Sequence, residues 1–207
     1  MTMSKTSQSG EGERTTRALV NFAEEHAVLL RQRAGVRPRD RLDPRALVDE
    51  LKLVIVEPSN VTKATVEDYA LVTKADVKAW SGMGKRLPNG CLLVMLHPSQ
   101  TPERANVTIM EEVAHAHLGH RPSQLILHPN GLEKRAYNEK DEDDAYWTAA
   151  ATLLPRDVVV HAVWQRQRVT EFAAAYGASP ECAEFRIKTL GLWSAYKTYS
   201  GRGRRAS

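Results

Sequence analysis

The stretch Thr108-Ile-Met-Glu-Glu-Val-Ala-His-Ala-His-Leu-Gly-His120 gathers two carboxylates and three histidines. On an α-helix, at about 100° per residue with Glu111 at zero, His115 falls near about +40°, Val107 −40°, Leu118 −20° and Ala114 −60°. Glu111 thus sits in the middle of an apolar stripe with a histidine one turn on. A carboxylate buried there alone costs several kcal/mol, so it needs a cation, a proton or strong donors. A metal ion held by Glu111 and His115 at i, i+4 meets that need. Glu112, near about +100°, flanks the same face, where a general base for a metal-bound water would stand.

The same reasoning finds a third ligand in the acidic segment that follows. Most of Glu139, Asp141, Glu142, Asp143 and Asp144 need only the favourable field at a helix N-terminus to explain them. With Glu142 at zero, Ala149 falls near about −20°, Leu153 +20° and Tyr146 +40°, while Asp144 lies on the opposite side. Glu142 alone continues an inward stripe. His117 and His120 are spaced to pair as ligands but fall near about −120° and 180°, away from Glu111. His120 reads more simply as a helix C-terminal cation. His128, His161 and Tyr137 are candidates for stabilising the oxyanion of a tetrahedral intermediate. Nothing in the sequence chooses among them, and surface positions explain them as well. Tyr146 and Trp147 are read as core packing.

These side chains need elements to hold them. From Thr15 to about Arg33, Leu19, Phe22, Ala23, Val28 and Leu29 recur at helical spacing. Asp43-Pro44 has the form of a helix start, leading into Leu51-Lys-Leu-Val-Ile-Val-Glu-Pro58, best read as a strand. Val66 to Trp80 is weakly patterned. The turn Leu87-Pro-Asn-Gly90 precedes Cys91-Leu-Leu-Val-Met-Leu96, a strand continuous enough to be buried on both faces. Thr101-Pro102-Glu103 opens the helix carrying Glu111, which Pro122 must stop. A loop to about Tyr137 and a helix from Asn138 to Leu154 follow. Beyond Pro155 the pattern is short helices with a turn at Gly177-Ala-Ser179. The fold class is α+β: a small sheet with packed helices, one of them a zincin-like active-site helix, plus a C-terminal helical segment.

Glu111-Glu-Val-Ala-His115 is similar to the zinc-peptidase signature HExxH with its first histidine replaced by glutamate. Its surroundings resemble the ImmA/IrrE family of metallo-endopeptidases. The shared features are a strand ending at Leu96-His-Pro98, a Glu103-Arg104…Thr108 lead into the helix, its Leu118-Gly-His120 close, and a second helix, Glu142-Asp-Asp-Ala-Tyr-Trp-Thr-Ala-Ala-Ala-Thr-Leu-Leu-Pro155. Tyr176-Gly-Ala-Ser179…Arg186…Leu190-Gly-Leu192 looks like that family's closing segment. The resemblance covers about Leu47 to Leu192. It implies that Glu111 and His115 are zinc ligands, Glu142 the third ligand and Glu112 the general base. It also implies hydrolysis of a peptide bond in a protein substrate, typically a helix-turn-helix repressor. A Glu/His/Glu shell carries two negative charges where a His/His/Glu shell carries one. That makes the metal a poorer Lewis acid and admits Mn or Fe beside zinc. Three readings follow: a working peptidase with an altered ligand set, a metal site without peptidase activity, or a degenerate site without metal. The rival of another class is a non-catalytic regulator that binds protein or DNA on a retained peptidase scaffold.

Composition sets the frame. The 207 residues are 42% hydrophobic and 26% charged, ordinary for a globular chain of this size. No apolar run approaches the roughly 20 residues of a membrane helix, and no signal peptide is evident, so a soluble cytoplasmic protein is expected. Cys91 and Cys182 match no paired spacing that suggests a disulfide framework. The net charge of +4 is uneven: six bases and no acid follow Glu184, leaving residues 1–185 at −2. Six arginines also cluster between Arg31 and Arg45. Such patches attract nucleic acid or are simply solvated. Glu171 to Arg186 has the outline of a helix-turn-helix, with Arg186 and Lys188 on its second helix, though Glu181 and Glu184 oppose phosphate approach. The expected organisation is a disordered tail (1–14), a metallopeptidase-like domain (15–155), a helical segment (156–193) and a basic tail (194–207).

Overall fold

The computed structural model describes residues 15–56, 82–120, 124–128, 131–136 and 138–202. The N-terminal tail, the weakly patterned Val66 to Trp80 and the last residues of the basic tail lie outside the described residues.

Helix α1 (Thr16–Arg33) begins where the Thr15 hydroxyl accepts the Ala18 N–H. It spans the expected residues but is rotated from the expected phase. Val20, Ala23, Ala27 and Leu30 are buried, while Val28 and Leu29 are 54% and 48% exposed. What lies opposite explains the choice: Ala23 and Ala27 pack on Ala151 and Trp147, where small side chains let two helices approach closely. Arg31 shares the buried face because its guanidinium donates to the carbonyls of Thr152, Arg37 and Asp40. Much of the basic cluster is thus engaged within the fold. Arg37 pairs with Asp40, and Arg45 donates to the Asn106 Oδ1 at 2.9 Å.

Asp43 caps its turn as expected, accepting the Arg45 N–H at 3.0 Å, but Pro44–Leu47 is a 3₁₀ turn and not an α-helix. Strands β1 (Leu53–Val56), β2 (Gly82–Arg86) and β3 (Leu92–Leu96) form one sheet in the order β1-β3-β2. β1 is parallel to β3, with Leu53 opposite Leu92, and β2 is antiparallel to it. In β3, Leu92, Val94 and Leu96 are buried, while Leu93 and Met95 stay partly exposed. One face is therefore fully covered, where burial of both was expected.

Helix α2 (Pro102–Leu118) opens with Thr101 as N-cap and Pro at its first position. It ends before Pro122 is reached, because Gly119 takes a left-handed conformation at φ 73°. The segment expected as a loop instead contains a hairpin, β4 (Gln124–His128) antiparallel to β5 (Gly131–Ala136). Helix α3 (Glu139–Leu153), capped by Asn138, packs against both α1 and α2, and every residue from Thr148 to Leu153 is buried. Its Ala-rich sequence offers little polar contrast because almost no side of its second half meets water.

Four short helices follow among the described residues: α4 (Arg156–Trp164), α5 (Val169–Tyr176), α6 (Pro180–Thr189) and α7 (Trp193–Arg202). The basic C-terminal stretch thus begins as a helix. The α5–α6 turn is closed by Gly177 at φ 67° and by Ser179, which caps α6. A Cβ on Gly177 would lie 2.6 Å from the Arg41 guanidinium and displace that flexible group, and its left-handed φ disfavours any other residue at the elbow. The architecture is α+β, with the core formed between the sheet, α2, α3 and the C-terminal helices. No helix among the described residues is long and apolar enough to cross a membrane.

Candidate metal centre

Helices α2 and α3 lie side by side and supply the site between them. Glu111 and His115 are one turn apart on α2, and Glu142 stands in the first turn of α3, where its N–H donates to the Asn138 carbonyl. One ligand atom from each of Glu111, His115 and Glu142 lies within 4.8 Å of the others, and all three residues are half-buried. The His115 Nε2 is 3.8 Å from the Glu142 Oε2. Donors bound at about 2.1 Å in a tetrahedral site stand about 3.4 Å apart, so the triad is slightly wider than a closed shell and suits one ion. The donor chemistry, two carboxylates and an imidazole, also suits a divalent cation.

Glu111 lies at the margin of α2's buried face and not in its middle. Ile109, Met110, Val113 and Ala114 are fully buried, whereas Glu111, Glu112 and His115 share the half-open side. Burial disfavours a charged His115, but the hydrogen bond to Glu142 and the fields of Glu112, Glu142 and Glu111 outweigh it. The histidine pKa is therefore raised. These carboxylates create a demand for positive charge at His115, which a proton or a metal ion satisfies. Glu112 lies near enough for its charge to act on His115 but is outside the donor triad.

The remaining histidines are arranged differently from the helical projection. Because the helix ends at Gly119, the chain turns back and the His120 N–H donates to the His115 carbonyl at 3.0 Å. The His120 ring then meets the His115 ring, with Nδ1 to Nδ1 at 3.0 Å. Its other nitrogen faces Asp141 Oδ1 at 3.9 Å. Burial lowers the His120 pKa, so it is not the helix-end cation the sequence suggests. His117 does not pair with His120; its Nε2 meets His26 Nδ1 on α1 at 3.0 Å, and its Nδ1 meets the Arg33 guanidinium at 3.1 Å. Burial, then Arg33, then His26 push its pKa down to about 4. His161 is exposed on α4. Tyr137 lies outside the described residues, and His128 is placed only through the backbone of β4.

Tyr146 and Trp147 meet Phe185 edge-on at 4.8 and 5.1 Å, the packing role expected of them. Burial raises the Tyr146 pKa, with Cys182 and Glu111 adding to it. Burial likewise pushes the Cys182 thiol up to about 12, so it stays protonated. Arg186, a candidate for reading DNA, is fully buried. It donates to the Leu154 carbonyl and is ion-paired with Glu24 of α1. Lys188 pairs with Glu184 and lies over the Trp193 ring.

Residues 70–188 match the family model of the IrrE N-terminal-like domain, a metallopeptidase family. The match covers more than half of the chain and includes both helices of the centre. The chain belongs to this family. No curated protein matches its sequence.

Proposed function

We propose that the chain is a cytoplasmic metal-dependent endopeptidase that cleaves a protein, with a helix-turn-helix repressor as the class of substrate. The observation that carries this reading is the convergence of Glu111, His115 and Glu142 from two helices. Those three would hold the ion, with zinc the first candidate and Mn or Fe admitted by the second carboxylate. When bound, the ion supplies Lewis acidity and lowers the pKa of the attacking water. Glu112 takes the proton from that water and returns it to the leaving nitrogen. Its half-buried carboxylate beside the triad supports that role. Glu111 and Glu142 offer two negative charges, so the site is a weaker electrophile than one with two histidines and binds harder ions more readily. A DNA-reading role for α6 has less support, because Arg186 and Lys188 are engaged within the protein.

Elemental analysis of protein purified without a metal-affinity tag tests the reading. About one ion per chain is expected, lost in Glu111→Ala and Glu142→Ala. Glu112→Gln should keep the ion and lose about 100-fold or more of any proteolysis. A wild-type chain that takes up neither zinc nor manganese would leave the non-catalytic regulator as the surviving reading.

A further inference from the structure

The metal-facing histidine has a partner that a ligand count leaves out. His115 turns Nε2 toward Glu142 and Nδ1 toward His120. Two ring nitrogens 3.0 Å apart share one proton, so one ring donates and the other accepts. An ion on the His115 Nε2 would decide which: with that nitrogen given to the metal, His115 keeps its proton on Nδ1 and donates it to the His120 Nδ1. The field of Asp141, whose Oδ1 lies 3.9 Å from the His120 Nε2, favours the matching His120 tautomer with its proton on Nε2. The ion takes the place at the His115 Nε2 that Glu142, 3.8 Å away, otherwise reserves for a proton. The His120 side chain is only 11% exposed, and its ring stands edge-on to His115 with centroids 5.1 Å apart. Gly119 sets this arrangement by ending the helix one residue earlier.

We infer that His120, oriented by Asp141, is a positioning residue that fixes the tautomer and ring direction of His115 for metal binding. The inference rests on the proposed centre and adds a supporting relay, Asp141–His120–His115, running from the first turn of α3 back to α2. A ring already held in direction binds a cation with less loss of rotational freedom, and an acceptor at its Nδ1 stabilises the Nδ1–H form that metal binding at Nε2 requires.

The test uses the full chain, stripped of metal and titrated with zinc alone against a competing chromophoric chelator. Each protein's metal-free melting temperature is measured alongside. His120→Ala should weaken zinc binding by about 10- to 100-fold, with the metal-free melting temperature unchanged. His120→Asn, whose Oδ1 occupies the place of the imidazole Nδ1, should recover most of that loss. Asp141→Asn should lose less than His120→Ala. Wild-type affinity in His120→Ala would overturn the inference and leave the centre standing. An equal loss in His120→Ala and His120→Asn, or a loss matched by a lower metal-free melting temperature, would reduce His120 to packing and overturn it too. A wild-type chain that binds no zinc would overturn the centre itself, and the relay with it.

Discussion

At the scale of single residues, the centre is governed by how much negative charge surrounds one histidine. Glu111, Glu112 and Glu142 all act on His115. Replacing Glu111 with histidine removes one charge and adds a softer donor. Glu111→His should therefore tighten zinc binding by about 10-fold or more relative to manganese, read by the same chelator competition. Unchanged zinc affinity would count against Glu111 as a ligand. His117 makes a separate prediction. Arg33 donates to its Nδ1, so its Nε2–H donates to His26 and the ring stays neutral in the folded state. Its pKa is lowered to about 4 from 6.5. Between those values the unfolded chain binds the proton and the folded chain does not, so stability is retained above pH 6.5 and lost as pH falls toward 4. Allowing for solvent screening at a half-buried site, the loss is on the order of 1 to 2 kcal/mol. Urea unfolding at pH 7 and pH 4.5 should show this extra loss in the wild type and not in His117→Gln.

At the scale of elements, the ion pair between the fully buried Arg186 and the half-buried Glu24 ties α6 to α1. Removing Glu24 strands the guanidinium without its counter-charge. Glu24→Ala should cost about 3 kcal/mol, seen as a lower urea midpoint with zinc stoichiometry intact in the folded fraction. Capping chemistry made the boundaries legible: Asp43 and Thr101 cap the helix starts read from their Pro-led patterns, and Thr15 and Asn138 stand as caps where helices were expected to begin. These are local hydrogen bonds, written in adjacent residues. The facing of helices was less legible, because it depends on what packs opposite. Glu111 was expected in the middle of a stripe whose centre lies elsewhere, and α1 was misphased for the same reason. The β4–β5 hairpin had a signal, the Asn130-Gly131 dipeptide, but no clear alternation beside it. Glu111 and His115 were legible because i, i+4 spacing survives a modest error of phase, whereas the inward stripe assigned to Glu142 does not hold: Asp144, expected on the opposite side, is 4% exposed and the Glu142 side chain 37%. The His120 contact was not, since a helical projection carried past Gly119 sends that residue to the wrong side.

At the scale of the molecule, the elements outside the matched residues contribute to the centre's support. Helix α1 lies before residue 70, yet its Arg31 binds the Thr152 carbonyl, its Glu24 neutralises Arg186, and its His26 meets His117. A chain shortened to residues 70–188 would expose the alanine-lined side of α3 and strand a buried guanidinium. It should fail to unfold cooperatively in urea. A sharp transition in the shortened chain would show that α1 is dispensable.

The kinship recorded by residues 70–188 is therefore narrower than the mechanical unit that α1 completes. Moved into another protein by recombination, that segment would bring its candidate metal ligands but leave its buttress behind. Exchange that preserves the folded triad must carry the first helix with it, or find a host that already presents a small-residue face and an acid in the place of Glu24.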